Sequence, residues 1–146
     1  MSHTTTVSDI MITDVAALRS AVEELKRRGM NIQLRENATP RAYSQGQTGM
    51  GQAPFVVNIP DSKYDVGLYK VEGGYEARTD FYMGEVEKVL GVTPKKGESA
   101  TQAKMGKLYQ MYGVHAAEQQ AFRQGYSPRR VEMADGTMQL QITVAA

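Results

Sequence analysis

Apolar residues recur along this chain with two periods, and the two periods divide it into elements. Val15, Leu18, Val22 and Leu25 stand three or four apart, with Ala21 widening the stripe, so 14–28 predicts an amphipathic helix. Thr13 or Asp14 can cap its start, Glu23–Arg27 and Glu24–Arg28 are favourable i,i+4 pairs, and Gly29 follows the basic last turn as a stop. A second stripe, Met105, Leu108, Tyr112, His115, Gln119 and Phe122, predicts one long helix over about 99–125. Ser99 and Gln102 form a capping-box pattern at its head, Gly113 is a site for a bend, and Gly125 is a stop. Residues 84–91 suit a short helix.

Other segments follow the strand period of two. Residues 3–12 are rich in β-branched types, with an irregularity expected near Ser8-Asp9. Residues 30–34 alternate apolar and polar, and PFVVNIP is a strand bracketed by prolines. The run from Tyr64 to Met83 reads as a hairpin turning near Glu72-Gly73-Gly74. The run from Val131 to Val144 reads as another, turning at Asp135-Gly136 with Met138, Leu140, Ile142 and Val144 alternating after it. Residues 36–53 lack either period, and their Gly and Gln content predicts a flexible loop. Helices do not alternate strictly with strands, and hairpins imply antiparallel pairing. The expected fold is α+β: a single antiparallel sheet with two main helices packed on one face, one domain over 1–146.

Composition narrows the function classes. With 146 residues the chain can bury a core without staples, and it has no cysteine, which removes disulfides and thiol chemistry. A net charge of +1 favours neither nucleic acid nor an acidic membrane surface. No stretch approaches the roughly 18 apolar residues of a membrane span, and no signal-peptide pattern is visible, so a cytoplasmic protein is expected.

Several pieces in order carry a resemblance. They are Met1-Ser2-His3, the helix positions Asp14, Leu18, Ala21 and Leu25, then Arg41-x-Tyr43 with Gln47-Thr48, and Tyr64-Asp65-Val66-Gly67-Leu68 leading to Gly74-Tyr75. Leu108-x-Gln110-x-Tyr112-x-x-His115, Gln124-Gly125-Tyr126 and Asp135-Gly136 complete the set. In these the chain resembles the uncharacterised family of the thirty-fifth hypothetical chloroplast reading frame, found in plastids, cyanobacteria, other bacteria and phages. The resemblance implies the fold above and a native strand at the start; it implies no activity. The chain departs from the family at Thr79-Asp80-Phe81-Tyr82, which lacks the family's tryptophans, and over 84–99.

Candidate chemistry is sparse. His115 interrupts an apolar stripe between Tyr112 and Gln119, which makes either a core histidine bonded to a backbone carbonyl, Asp80 or Tyr64, or one rung of a polar ligand site. A pocket of the second kind would gather His115, Tyr112, Tyr64 and Asp80, with Arg129 and Arg130 as phosphate contacts. Tyr69 and Val71 fall on the sheet face away from the helices, and with Arg41 and Tyr43 at the nearby edge they mark an apolar interaction surface. Gly46-x-x-Gly49-x-Gly51 lacks the ending of a phosphate loop, the two histidines match no metal motif, and no catalytic triad or carboxylate pair stands out. The lysines and arginines of 95–130 read as a solvated surface, so nucleic acid is not an expected partner. The expectation is a small non-enzymatic interaction or regulatory module that forms a homo-oligomer or meets a protein partner, without cofactor or metal. The alternative is a protein that sequesters a small nucleotide-type ligand, in a phage setting to counter host defence.

Overall fold

The computed structural model describes residues 4–42, 51–94, 96–97, 99–134 and 138–143. Tyr43 and the Asp135-Gly136 turn lie outside the described residues. The strands are β1 (Thr4–Ile12), β2 (Gln33–Ala38), β3 (Ala53–Asn58), β4 (Val66–Val71), β5 (Gly74–Asp80), β6 (Ser127–Glu132) and β7 (Met138–Thr143). The helices are α1 (Val15–Arg27), α2 (Glu85–Leu90), α3 (Ala100–Ala103) and α4 (Gly106–Arg123). Five strands form one antiparallel sheet in the order β1-β5-β4-β3-β2, and β6 and β7 form a separate two-stranded ribbon. The fold is α+β. The chain starts on one edge, crosses by α1 to the opposite edge, and meanders back until β5 closes on β1.

One face of the sheet carries the core. Val57, Val66, Leu68 and Ala77 meet Leu18, Ala21, Val22 and Leu25 of α1, Val86 and Leu90 of α2, and Leu108, Met111 and Tyr112 of α4 in one cluster. Asp14 caps α1 as expected, its Oδ1 accepting from the Ala17 N–H at 3.0 Å. The irregularity expected in β1 is a register shift between Val7 and Ile12.

Four expectations are corrected. First, the strand placed at 30–34 is β2 at Gln33–Ala38. Met30 and Ile32 instead close the turn after α1, with Ile32 1% exposed. β2 is an edge strand exposed along most of its length, which erases the alternation. Second, although α4 runs unbroken through Gly113, the long helix is not continuous. It breaks at Lys104-Met105 between α3 and α4, where Met105 is fully buried. At Gly106 a Cβ would stand 2.2 Å from Cγ2 of Val92, so only glycine lets the helix restart against that side chain. Third, the last hairpin begins at Ser127 rather than Val131 and does not join the main sheet. Pro128-Arg129-Arg130 hides a strand from propensity, although proline is tolerated on an edge. Fourth, Glu23 pairs with Lys26 at 3.5 Å, whereas Glu24 does meet Arg28, at 2.9 Å.

The outer sheet face is not the open apolar surface expected around Tyr69. Tyr69 is 9% exposed and clusters with Val56 and Ala53. Its ring lies over Gly67, where a Cβ would stand 2.6 Å from the ring and 3.0 Å from Pro40. Its hydroxyl donates to the Gly51 carbonyl at 2.8 Å, and the Arg78 guanidinium sits 4.5 Å from the ring centroid. The segment flanking the Gly-rich loop therefore covers this face, and burial raises the Tyr69 phenol above its ordinary pKa.

Candidate functional site

Two regions around α4 hold the features that chemistry or binding could use. The first is a charged cluster that joins α1, α4 and β6. Glu24 lies on α1 beside Ala21 and Leu25, so its position on the buried stripe draws it inward, and it is 8% exposed. His115 and Glu118 stand three apart on α4, and Arg130 reaches them from β6. Nη1 of Arg130 donates to both Glu24 oxygens at 2.8 Å, and its Nε and Nη2 donate to Glu118 at 3.0 and 2.6 Å. His115 Nε2 lies 2.8 Å from Glu24 Oε1, and Arg28 Nε donates to Glu24 Oε2 at 3.0 Å. With its Nε2 protonated, His115 donates to that carboxylate.

The electrostatics follow from this geometry. Burial pushes the Glu24 carboxyl up, but the hydrogen bonds from Arg130 and His115 outweigh it and hold the pKa down at about 2. Hydrogen bonding to Glu118 and then Glu24 raises Arg130 above its ordinary value against the opposing cost of burial. Glu24 is therefore a fixed anion at neutral pH, too weak a base to take part in proton transfer. The cluster is a clamp: it anchors to α1 and α4 a ribbon that two strands alone would hold only marginally.

The second region is open. α4, the C-terminal end of α1 and the inner face of the ribbon enclose a groove of about 490 Å³. Its walls are mostly apolar, with Met111, Val114 and Ala117 facing Met138 and Leu140, and Arg28, Lys107 and Glu132 at its margin. Among the described residues Lys107 makes no ion pair, while Arg28 is held by Glu24. Gly113 lies on the floor. Among the described residues a Cβ there would meet nothing within 4 Å, so no contact among them accounts for a helix-interior glycine. A smaller cavity of about 350 Å³ beside the start of α1 is lined by Thr13, Val15, Ala116, Gln120 and the paired Asp14 and Arg123.

The expected pocket residues do not converge. His115 and Arg130 come together, but in the clamp, and His115 lines neither cavity. The Tyr112 hydroxyl accepts from the Thr13 and Asp14 N–H groups at 2.9 and 3.1 Å, so it supports the start of α1. Asp80 is fully buried and accepts from the Tyr82 N–H at 2.9 Å, and Tyr64 is 7% exposed beside Ser62. Arg129 is exposed on the outer face of the ribbon and donates to Gln141 at 3.2 Å. Neither arginine is placed as a phosphate contact by these partners. Arg41 is no free edge residue either. It donates through Nε and Nη2 to the buried Asp65 at 3.1 and 2.8 Å, and Asp65 also accepts from the Arg41 and Ile59 N–H groups and from Asn58. Burial raises the Asp65 pKa, but the Arg41 hydrogen bonds lead those that bring it below its ordinary value. Val71 is half-buried at the end of β4.

Sequence reasoning missed Glu24 and Glu118 as partners of His115, and it missed the groove. The signals were present: Glu24 interrupts the face of α1 that carries Ala21 and Leu25, and Gly113 stands in the interior of an unbroken α4.

Among the described residues no group of three or more His, Asp or Glu side chains is arranged to hold a metal ion. No helix among them is long and apolar enough to cross a membrane. No family model, curated protein or solved structure matches the chain. The resemblance described above therefore rests on its quoted residues alone.

Proposed function

We propose that this chain is a non-enzymatic binding module whose site is the groove between α4 and the ribbon, and that it takes a small apolar group ending in an anion. The observation that carries this reading is Gly113 on the groove floor. A glycine inside a helix costs about 1 kcal/mol relative to alanine, and here no atom of the described residues outside the helix's own backbone fills the space above it. Keeping that space empty serves an occupant. The volume suits a small molecule, and the apolar walls with a few polar groups at the margin are the usual make-up of such sites. Lys107, which makes no ion pair among the described residues, is the cation the margin offers to an anionic end, Arg28 being already held by Glu24.

The test uses a straight-chain carboxylate, decanoate, in isothermal titration calorimetry below its micelle concentration. It is compared with decylammonium, which has the same chain and the opposite charge. Decanoate is expected to bind in the range of tens to hundreds of micromolar, as the size of such a ligand permits. Decylammonium is expected to bind at least roughly tenfold more weakly. Gly113→Leu, which fills the floor, abolishes the heat. Absence of decanoate binding, equal binding of the two amphiphiles, or undiminished binding to Gly113→Leu overturns the reading.

A further inference from the structure

The edges of the two sheets differ in how they are protected. An edge strand exposes unpaired N–H and C=O groups, and proteins blunt such edges with charge, proline, irregular backbone or a covering element. β1 has a register shift, and α3 packs beside it. β2 carries Arg35 and Glu36, and Asn37 has a φ of 49°. β6 carries Pro128, Arg129, Arg130 and Glu132. β7 reads MQLQIT: no charge, no proline, no glycine. Among the described residues β7 pairs only with β6.

From this contrast we infer that β7 is the docking edge for a second copy of this chain, pairing antiparallel with its counterpart about a two-fold axis into a continuous sheet ordered β6-β7-β7-β6. A second copy is the occupant that the chemistry fits best. In self-pairing each residue meets another from the same strand, and β7 is neutral throughout, so no like charges are opposed. The register centred on Leu140 sets Leu140 opposite Leu140, Met138 opposite Ile142 and Gln139 opposite Gln141. It places the apolar residues of both strands on one face and the glutamine amides, which can donate and accept across the pair, on the other. Ile142, 48% exposed in the single chain, then gains an apolar neighbour. A six-residue pairing is short, so the association is a concentration-dependent equilibrium rather than an obligate dimer.

The charge on the outer face gives a directional test. Gln141 lies opposite Arg129 within the ribbon. In the dimer residue 139 of one copy lies opposite residue 141 of the other. Gln139 is exposed and opposite Val131, so it can be replaced without touching the core. Sedimentation equilibrium over a concentration series is expected to show a monomer–dimer equilibrium for the wild type. Gln139→Lys, present twice in each dimer, weakens it roughly tenfold, and adding Gln141→Glu, which sets a carboxylate directly opposite the new lysine of the second copy, restores it. Amide exchange of β7 slows with protein concentration in step with the dimer. The inference is overturned by a wild type that stays monomeric at every concentration. It is equally overturned by a Gln139→Lys variant that associates as tightly as the wild type or is not rescued by Gln141→Glu, or by β7 amides whose exchange ignores concentration.

Discussion

α4 presents two sides to its surroundings, and they are finished in opposite ways. On one side His115 and Glu118 are tied into a cluster with Glu24, Arg28 and Arg130 in which each Arg130 nitrogen meets a carboxylate. On the other side Gln110, Gly113, Val114 and Ala117 border open space. The closed side holds the ribbon in place, and the open side is what the ribbon encloses. Polar groups converging in a fold thus do not by themselves mark a site. Here the residues rich in functional groups are satisfied by one another, and the place left for a ligand is signalled by a missing side chain.

The largest effect should come from breaking the closed side. Arg130→Met leaves the buried Glu24 and the half-buried Glu118 adjacent and deprived of their shared cation. Stranding a buried charge typically costs about 3–5 kcal/mol. Urea unfolding should show that loss, with the ribbon amides exchanging first. A loss of well under 1 kcal/mol would mean that the clamp contributes nothing and that apolar contacts at Met138 suffice to hold the ribbon.

Acid probes the same side more gently. The folded Glu24 carboxyl has its pKa depressed from 4.5 to about 2, so it binds its proton less readily than in the unfolded chain. Its contribution is fully present above pH 4.5 and is lost as pH falls toward 2. At 1.36 kcal/mol per pKa unit the full loss is about 3 kcal/mol. Asp14 and Asp65, also held below their ordinary values, titrate in an overlapping window, so the Glu24 share is read by difference. Wild type should exceed Glu24→Gln in stability at neutral pH, and the gap should close as pH falls through that window. A gap independent of pH would show that the Glu24 charge is not what the cluster uses.

Much of the fold was legible because it depends on local pattern. Val15 to Leu25 announced α1, the Gly73 turn announced β4 and β5, and PFVVNIP announced β3. Elements that depend on tertiary packing were not legible. The break at Met105 exists because Val92 packs against Gly106, and no periodicity reports that contact. β6 was hidden by a proline and two arginines, one of which faces Glu24 and Glu118 across space, a pairing 106 residues apart in the case of Glu24. Tyr69 was assigned to the correct sheet face, but the sequence pattern carried no sign that Pro40 and Gly51 would cover it.

The smallest effect is the most discriminating, because it reverses the usual sign. Gly113→Ala adds one methyl group to an exposed position inside α4, where the new Cβ touches nothing among the described residues. Helix propensity alone predicts a gain of up to about 1 kcal/mol, measurable as a raised urea midpoint with an unchanged slope. The same methyl group projects into the groove, so decanoate should bind several-fold more weakly to the stabilised protein. Stability and binding then move in opposite directions at one residue, as expected where a helix keeps a glycine for something outside its own fold. A variant that is both more stable and unimpaired in binding would leave Gly113 with no role in the groove. A variant that is less stable would mean that α4 needs the glycine for its own path, and the contrast between the two sides of the helix would lose its central residue.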